Sequence, residues 1–271
     1  MGEGGAVIND KTISARPGLF QVERQEQIVE LVLRNGSVDV AELAERFDVT
    51  TETIRRDLTD LQEARLVRRV HGGAVPWRSW LFEPKLEVRR GQNAEEKQRI
   101  AKVALEEVPD QGSIMIDSGS TTAHFADLLP LDRQLTVITN SIPVVQSLAA
   151  SDQMEIIVIG GTLRKNTMAL VDASGAETLQ DITVDVVFIG CDGASLDRGF
   201  TTPYRDEVTI KRAMMASARR IVMMFDHSKV GNDQLLRFAL IEDVDRIITG
   251  SEVDDAIVSR FEEKGPIVSL A

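Results

Sequence analysis

Two groups of residues have the types and spacing for binding chemistry. The first is TTETIRRDLTDLQEARLVRRVHGGAV, residues 50–75, which sets five arginines and a histidine around a sparse apolar framework. A guanidinium grips phosphate oxygens and bonds guanine O6 and N7 in bidentate fashion, so arginines gathered on one surface suit a polyanion. The second begins at DSGSTT, residues 117–122, where Asp117 closes an apolar run, Ser118, Ser120, Thr121 and Thr122 supply hydroxyls, and Gly119 permits a tight turn. At the start of a helix such a turn also presents backbone N–H groups, and by itself it is either a routine helix cap or a cradle for a phosphate. Four more polar groups follow short apolar runs: Asn140 after VIT, Gly160 and Gly161 after IIVI, Asp192 and Gly193 after VFIGC, and Asp226 to Lys229 after IVMMF. Groups converging from several strand ends make a pocket, to which Lys229 adds a charge-assisted bond for an anion. Glu207 and Lys211, one helical turn apart, are either a solvated pair or members of that pocket.

The first group needs a rigid mount. From Gln21 onward Ile28, Leu31 and Val32 recur at helical spacing until Asn35-Gly36, and Val40, Leu43, Ala44 and Phe47 mark a second helix ending at Asp48-Val49. Thr50 or Thr51 then caps a third, whose buried stripe is Ile54, Leu58 and Leu61. Leu66, Val67, Val70 and Val75 flank a His-Gly-Gly turn and predict a hairpin. The sum is a winged helix-turn-helix over residues 20–76, with the third helix in the recognition position. Glu52, Arg56 and Thr59 face outward from the stripe, flanked by Thr53 and Arg55. With Thr51, the threonines and arginines of this first turn are candidates for reading base edges. Arg65, Arg68, Arg69 and His71 fall at the helix end and on the wing, where phosphate contacts fix register. Residues 20–76 hold eight arginines and no lysine against eleven acidic residues, so the positive charge is a matter of placement.

The second group needs strands. From residue 94, helical stretches alternate with SIMIDS, LTVITN, MEIIVIGG, VDVVFIGCDG, RRIVMMFDHS and DRIITG, which read as buried parallel strands. Helical spacing in EEKQRIAKVALEEV, SIPVVQSLAA and PYRDEVTIKRAMMASA completes an α/β layered domain, 94–271, with a mainly parallel sheet and ligands at the carboxyl ends of its strands. DSGSTT lacks the Gly-Lys-Ser/Thr of a Walker A loop, and GxGxxG is absent. Residues 77–93, WRSWLFEPKLEVRRGQN, have no period and read as the inter-domain connection, with Trp77, Trp80, Leu81 and Phe82 too apolar to stay solvated. Residues 1–19, with four glycines, read as a mobile tail.

Composition bounds these readings. With 271 residues and 43% hydrophobic content, the chain buries a full core and is long enough for about two domains. The single cysteine, Cys191, excludes an internal disulfide, suits a reducing compartment and sits in an apolar strand as a packing residue. MGEGGAVIND lacks the parts of a secretory leader, Ala6 stands where myristoylation wants Ser or Thr, and no apolar run approaches the ~20 residues that span a bilayer. A cytoplasmic protein without a membrane role is expected. The net charge of −12 argues against bulk binding of nucleic acid and makes any such site local. His124 and His227 are too isolated for a zinc site, and Met214, Met215, Met223 and Met224 fit core packing, so neither metal nor cofactor is expected.

AELAERFDVTTETIRRDLTDLQEARLVRRVHGGAV closely resembles the DNA-binding domain of DeoR-family bacterial transcription regulators. The family's T-I-R-R-D-L helix and H-G-G-A hairpin end are matched by Thr53-Ile54-Arg55-Arg56-Asp57-Leu58 and His71-Gly72-Gly73-Ala74. NAEEKQRIAKVALEEVPDQGSIMIDSGSTT matches the opening of the family's effector domain, so the resemblance covers nearly everything after residue 20. It implies binding to double-stranded operator DNA, and an effector domain related in fold to ribose-5-phosphate isomerase that binds phosphorylated sugars. Carried over, Asp117, Ser118, Gly119, Ser120, Thr121 and Thr122 would hold the phosphate, with Asn140, Gly160, Gly161, Asp192, Glu207, Lys211 and Lys229 around the sugar. Where the isomerases show Asp-Gly-Ala-Asp-Glu, this chain reads DGASL at 192–196, so an acid pair is missing and no catalytic residue is expected. The expected function is a repressor of carbohydrate-catabolism genes, at least a homodimer to match two-fold operators, released from DNA by its sugar phosphate. The rival is a sugar-phosphate isomerase or deaminase with an appended helical domain. A third reading makes the N-terminal domain a protein-interaction module.

Overall fold

The computed structural model describes residues 21–64, 66–70, 72–76 and 84–271. The expected tail at 1–19, and Arg65, His71, Trp77, Trp80, Leu81 and Phe82, lie outside those residues. Two compact units divide the chain between Glu83 and Pro84.

In the first unit, α1 (Gln21–Asn35) buries Ile28 and Val32. β1 (Val38–Asp39) leads into α2 (Val40–Phe47), whose start is fixed by Asp39 Oδ1 accepting the N–H groups of Ala41 at 2.6 Å and Glu42 at 3.2 Å. Asp48, left-handed at φ 52°, ends the helix. α3 (Thr51–Glu63) follows, with Thr50 Oγ1 accepting the Thr53 N–H at 3.2 Å. β2 (Val67–Val70) and β3 (Gly73–Pro76) form the hairpin, and β1 pairs with β3 to extend it to three strands in the order β1-β3-β2. Ile54, Leu58 and Leu61 of α3 join Ile28, Val32, Leu43, Phe47, Val67 and Ala74 in one core. This is the winged helix-turn-helix expected from the sequence. The pairing by β1 was not, because two residues are too short to carry a period.

The second unit starts earlier than residue 94. α4 (Leu86–Gly91) buries Leu86, and α5 (Ala94–Ala104) follows directly. Then β4 (Gln111–Ile116), α6 (Ser120–Leu128), β5 (Gln134–Thr139), α7 (Ile142–Leu148) and β6 (Glu155–Val158) run outward across one half of a sheet. β7 (Thr162–Arg164) and β8 (Ala169–Val171) make a separate antiparallel pair, followed by the short α8 (Ala173–Glu177). The chain returns as β9 (Val186–Gly190), on the other side of β4. β10 (Gly193–Ser195), β11 (Gly199–Thr202), α9 (Arg205–Ala216), β12 (Ile221–Phe225), β13 (Leu236–Ala239), β14 (Arg246–Thr249), α10 (Asp255–Glu262) and β15 (Ile267–Leu270) complete it. β10, β11 and β13 form a small antiparallel sheet. The main sheet has seven strands, all parallel, in the order β15-β14-β12-β9-β4-β5-β6.

The apolar runs follow from burial of both sheet faces. Ile114, Ile116, Val137, Phe188, Val222 and Met224 pack with α5, α6 and α7, whereas Met115, Val187, Ile189, Met223 and Phe225 pack with α9 and α10. Strand order reverses between β4 and β9, and in an open α/β sheet the crevice at such a reversal, beyond the carboxyl ends of the strands, is where ligands bind. α6 is fixed across it by Phe125, whose ring centroid lies 4.3 Å from that of Phe188 on β9.

Candidate functional site

In the first unit, the exposed face of α3 carries Thr51, Glu52, Arg55 and Arg56, with Thr53 and Thr59 half-buried beside them. Arg56 makes no hydrogen bond or ion pair among the described residues. Arg55 has only a solvated pairing, Nη1 to Glu52 Oε2 at 3.3 Å. Arg69 lies against the same helix, donating from Nη1 to Thr59 Oγ1 and from its backbone N–H to Gln62 Oε1, each at 2.8 Å, while Arg68 is half-buried on β2. Asp57 faces the other way. It is 1% exposed and accepts Arg24 Nε at 2.5 Å and Nη2 at 3.2 Å, a fork that ties α3 to α1. The sequence assigns neither residue a role.

In the second unit, a cleft of about 430 Å³, counting the part open to solvent, lies at the β4/β9 reversal. Ser118, Gly119, Ser120, Thr121 and Thr122 line it from the turn into α6, Gly190, Cys191 and Asp192 from the end of β9, Glu207 and Lys211 from α9, Met224 from β12, and Lys229 from the turn beyond. Arg89 of α4 and Thr167 of the β7–β8 loop complete the wall. Gly119 is the N-cap of α6, so no side chain caps the helix and its first N–H groups face the cleft. Its φ of 162° is extended backbone. Asn140 and Asp117 support the wall from behind. Asn140 Oδ1 accepts the Ser118 N–H at 3.0 Å, and Asp117 pairs with Lys211 and accepts the Gly190 N–H at 3.1 Å. Gly160 and Gly161 do not join the lining and are exposed at the β6–β7 connection. There Gly161 answers to the fold, with φ 139° and the Val171 carbonyl oxygen 3.0 Å from where a Cβ would stand.

Glu207 and Lys211 are therefore buried members of the site, and each has another partner. Lys211 bonds Asp117 and the Gly190 carbonyl at 2.9 Å, and Glu207 is paired with Arg164 of β7. Burial opposes the charge of Lys211, yet Asp117 and Glu207 outweigh it and raise its pKa. Burial, then Asp192, pushes the Glu207 carboxyl up. Burial also disfavours ionised Asp192, but Arg89, with Nη2 at 2.9 Å, Lys229 and Lys211 hold that carboxyl below its usual range. The Thr202 hydroxyl sits 3.0 Å from Asp192 Oδ2 and 2.5 Å from Glu207 Oε2, so its single proton serves one carboxylate at a time. Burial pushes the Cys191 thiol up, which suits packing and disfavours a nucleophile. Three cations are thus matched by three carboxylates at ion-pair distance, whereas the Lys229 ammonium acts on Asp226 and Asp192 only through space and makes no hydrogen bond or ion pair among the described residues. Thr167 Oγ1 is likewise buried without a hydrogen-bond partner among them. The cleft thus brings together a helix start with no side-chain cap, an ammonium outside ion-pair distance of any described carboxylate and one buried hydroxyl without a partner among the described residues, features that favour negative charge and hydrogen-bonding groups.

Residues 24–79 match the DeoR-like helix-turn-helix domain, and residues 92–251 match the DeoR C terminal sensor domain. The chain belongs to the DeoR family of transcriptional regulators. Among its DeoR relatives, the HTH-type transcriptional regulator GlpR of Haloferax volcanii is 34% identical over 92% of this chain and 98% of its own. The glycerol-3-phosphate regulon repressor of Escherichia coli is 32% identical over 84% and 90%. Among solved structures, ribose 5-phosphate isomerase A of Methanocaldococcus jannaschii aligns over 51% of this chain and 55% of its own at 18% identity, with a TM-score of 0.38.

Within the second unit of this DeoR chain, sequence reasoning missed Arg89, Thr167, Arg164 and Thr202. None follows a strand of the main sheet, and Arg89 falls in the stretch read as the connection. It also missed the buried pair of Lys97 and Asp226, at 3.6 Å on the far side of α4. His227, isolated in sequence, has company in the fold: Nδ1 lies 2.7 Å from Glu96 Oε2, with Glu252 close by and held by Arg99 at 2.6 Å. Among the described residues, no helix is long and apolar enough to cross a membrane.

Proposed function

We infer that this DeoR-family chain is a cytoplasmic repressor of carbohydrate-catabolism genes whose hold on operator DNA is loosened by a phosphorylated sugar or polyol. The observation that carries the reading is the charge balance of the cleft, where the uncapped start of α6 and the unpaired Lys229 ammonium leave room for one anionic group. Hydroxyls and carboxylates nearby suit a polyhydroxylated remainder. Ser118 to Thr122 with Lys229 would take the phosphate. Asp192, Glu207, Lys211 and Thr167 would face or frame the rest, with Asp117 and Asn140 as supports. On the DNA side, Thr51, Thr53, Arg55 and Arg56 would meet base edges, and Arg65, Arg68, Arg69 and His71 the phosphates. A two-fold operator calls for at least a homodimer. Relatives that bear the names of a glycerol-3-phosphate regulon repressor and a putative aga operon transcriptional repressor support this direction.

A thermal-shift panel of sugar phosphates, polyol phosphates and their unphosphorylated counterparts tests the site. A true ligand at about 100 times its Kd contributes ~2.7 kcal/mol of stability, and Lys229→Ala removes that gain. No shift with any phosphorylated compound sinks the reading. In the isomerase alternative Asp192 would be the base, but here it is engaged by Arg89 and Thr202. Turnover of aldose or ketose phosphates that Asp192→Asn abolishes would establish that alternative instead.

A further inference from the structure

We propose that Arg89 is part of the ligand site and that α4 is the element through which occupancy of the cleft reaches the chain preceding it. The inference rests on the cleft being an anion site, as inferred above. Six residues of helix are too few to hold themselves, so α4 owes its place to contacts on every side. The Leu86 N–H donates to the Asn166 carbonyl at 2.7 Å, on the loop that carries Thr167. Arg90 pairs with Asp127, and its carbonyl lies 3.1 Å from His124 Nε2, both on α6. Behind α4, Lys97 Nζ donates to the carbonyls of Arg89 at 2.6 Å and Gln92 at 2.5 Å, while Asn93 Nδ2 reaches Asp226 Oδ1 at 2.8 Å. The segment therefore touches elements on both sides of the β4/β9 crevice. Arg89 is its residue in the cleft wall, bonded across to Asp192.

A guanidinium paired with a carboxylate beside an anion site is in competition. A phosphate offers Arg89 a bidentate partner of greater charge than Asp192. When Arg89 turns to the ligand, α4 loses the bond that holds it to the end of β9. That helix begins at Leu86, and β3 of the DNA-binding unit ends at Pro76, so a displaced α4 acts on a short stretch of chain. The exchange of partners gives the ligand different contacts in two states, which a ligand must have to shift an equilibrium.

Hydrogen–deuterium exchange of the full chain, with inorganic phosphate as the probe against chloride at equal ionic strength, reads both halves at once. The expected result is slower exchange over Ser118–Thr122 together with faster exchange over Leu86–Gly91. Arg89→Ala abolishes the α4 response and weakens phosphate binding ~10- to 100-fold, the loss of one charge-assisted hydrogen bond. Asp192→Asn leaves Arg89 in place without its carboxylate, and raises α4 exchange before any phosphate is added. Protection at Ser118–Thr122 with α4 unmoved in the wild type overturns this proposal and leaves the anion site standing. No protection at either segment overturns both.

Discussion

Arg56 and Asp57 are neighbours in the sequence with opposite fates, one exposed on α3 and the other buried against Arg24. Arg56→Ala is expected to lose ~1–3 kcal/mol of operator affinity and relax preference at one base pair, whereas Arg69→Ala weakens all duplexes alike and lowers the salt slope by about 1. Anisotropy titrations on matched and mismatched duplexes at several salt concentrations separate the two, and identical behaviour would refute the division of labour. In the cleft, removing one partner of the buried Lys211–Asp117 pair leaves a charge without compensation. Asp117→Ala is therefore expected to lose about 3–5 kcal/mol in urea unfolding, and Asp117→Leu with Lys211→Met less than either change alone. Lys97 gives a pH signature. Burial lowers its pKa from 10.5 to about 8 against the pull of Asp226, so between those values the unfolded chain holds more protons and stability rises with pH. Urea unfolding from pH 8 to 10 is expected to show that rise in the wild type and lose it in Lys97→Met. The same slope in both proteins would exclude Lys97 as its source. Asp117 and Lys229 were legible in sequence because they follow strand ends, whereas the spacing of Glu207 and Lys211 left a solvated pair equally open. Arg89 and Thr167 were not, because they enter the cleft from outside the sheet.

At the scale of elements, the wing depends on close backbone approach. A Cβ on Gly73 would lie 1.9 Å from the Val38 carbonyl oxygen, so Gly73→Ala is expected to break the β1–β3 pairing. Its measure is lost exchange protection at Ala74 together with weakened DNA binding, and unaltered protection would contradict the close contact. Asp39→Ala removes the α2 cap and is expected to cost ~0.5–2 kcal/mol. The three helices and the hairpin were readable because caps, turn residues and apolar period agree along the chain. Six of the seven main-sheet strands were readable as short apolar runs, which for the inner five follows from burial on both faces, while β6 at the edge keeps its run although Ile157 and Val158 are exposed. β15 was missed because IVSL at an edge is half exposed and bears no such run. α4 was hidden for a different reason: its burial comes from Leu86 and ion pairs, which no period announces.

For the whole molecule, the sheet reversal, the cleft and the exposed recognition helix sit in one DeoR chain, and the proposed function requires that filling the cleft in one unit change the DNA affinity of the other. The most direct measurement selects a duplex from a random pool with the full chain, then follows operator Kd by anisotropy while the best-binding phosphorylated sugar is added. The account predicts a rise in Kd of roughly 5- to 150-fold, the usual range of a coupling free energy, and no rise in Lys229→Ala. A ligand that demonstrably fills the cleft yet leaves operator Kd unchanged would contradict it.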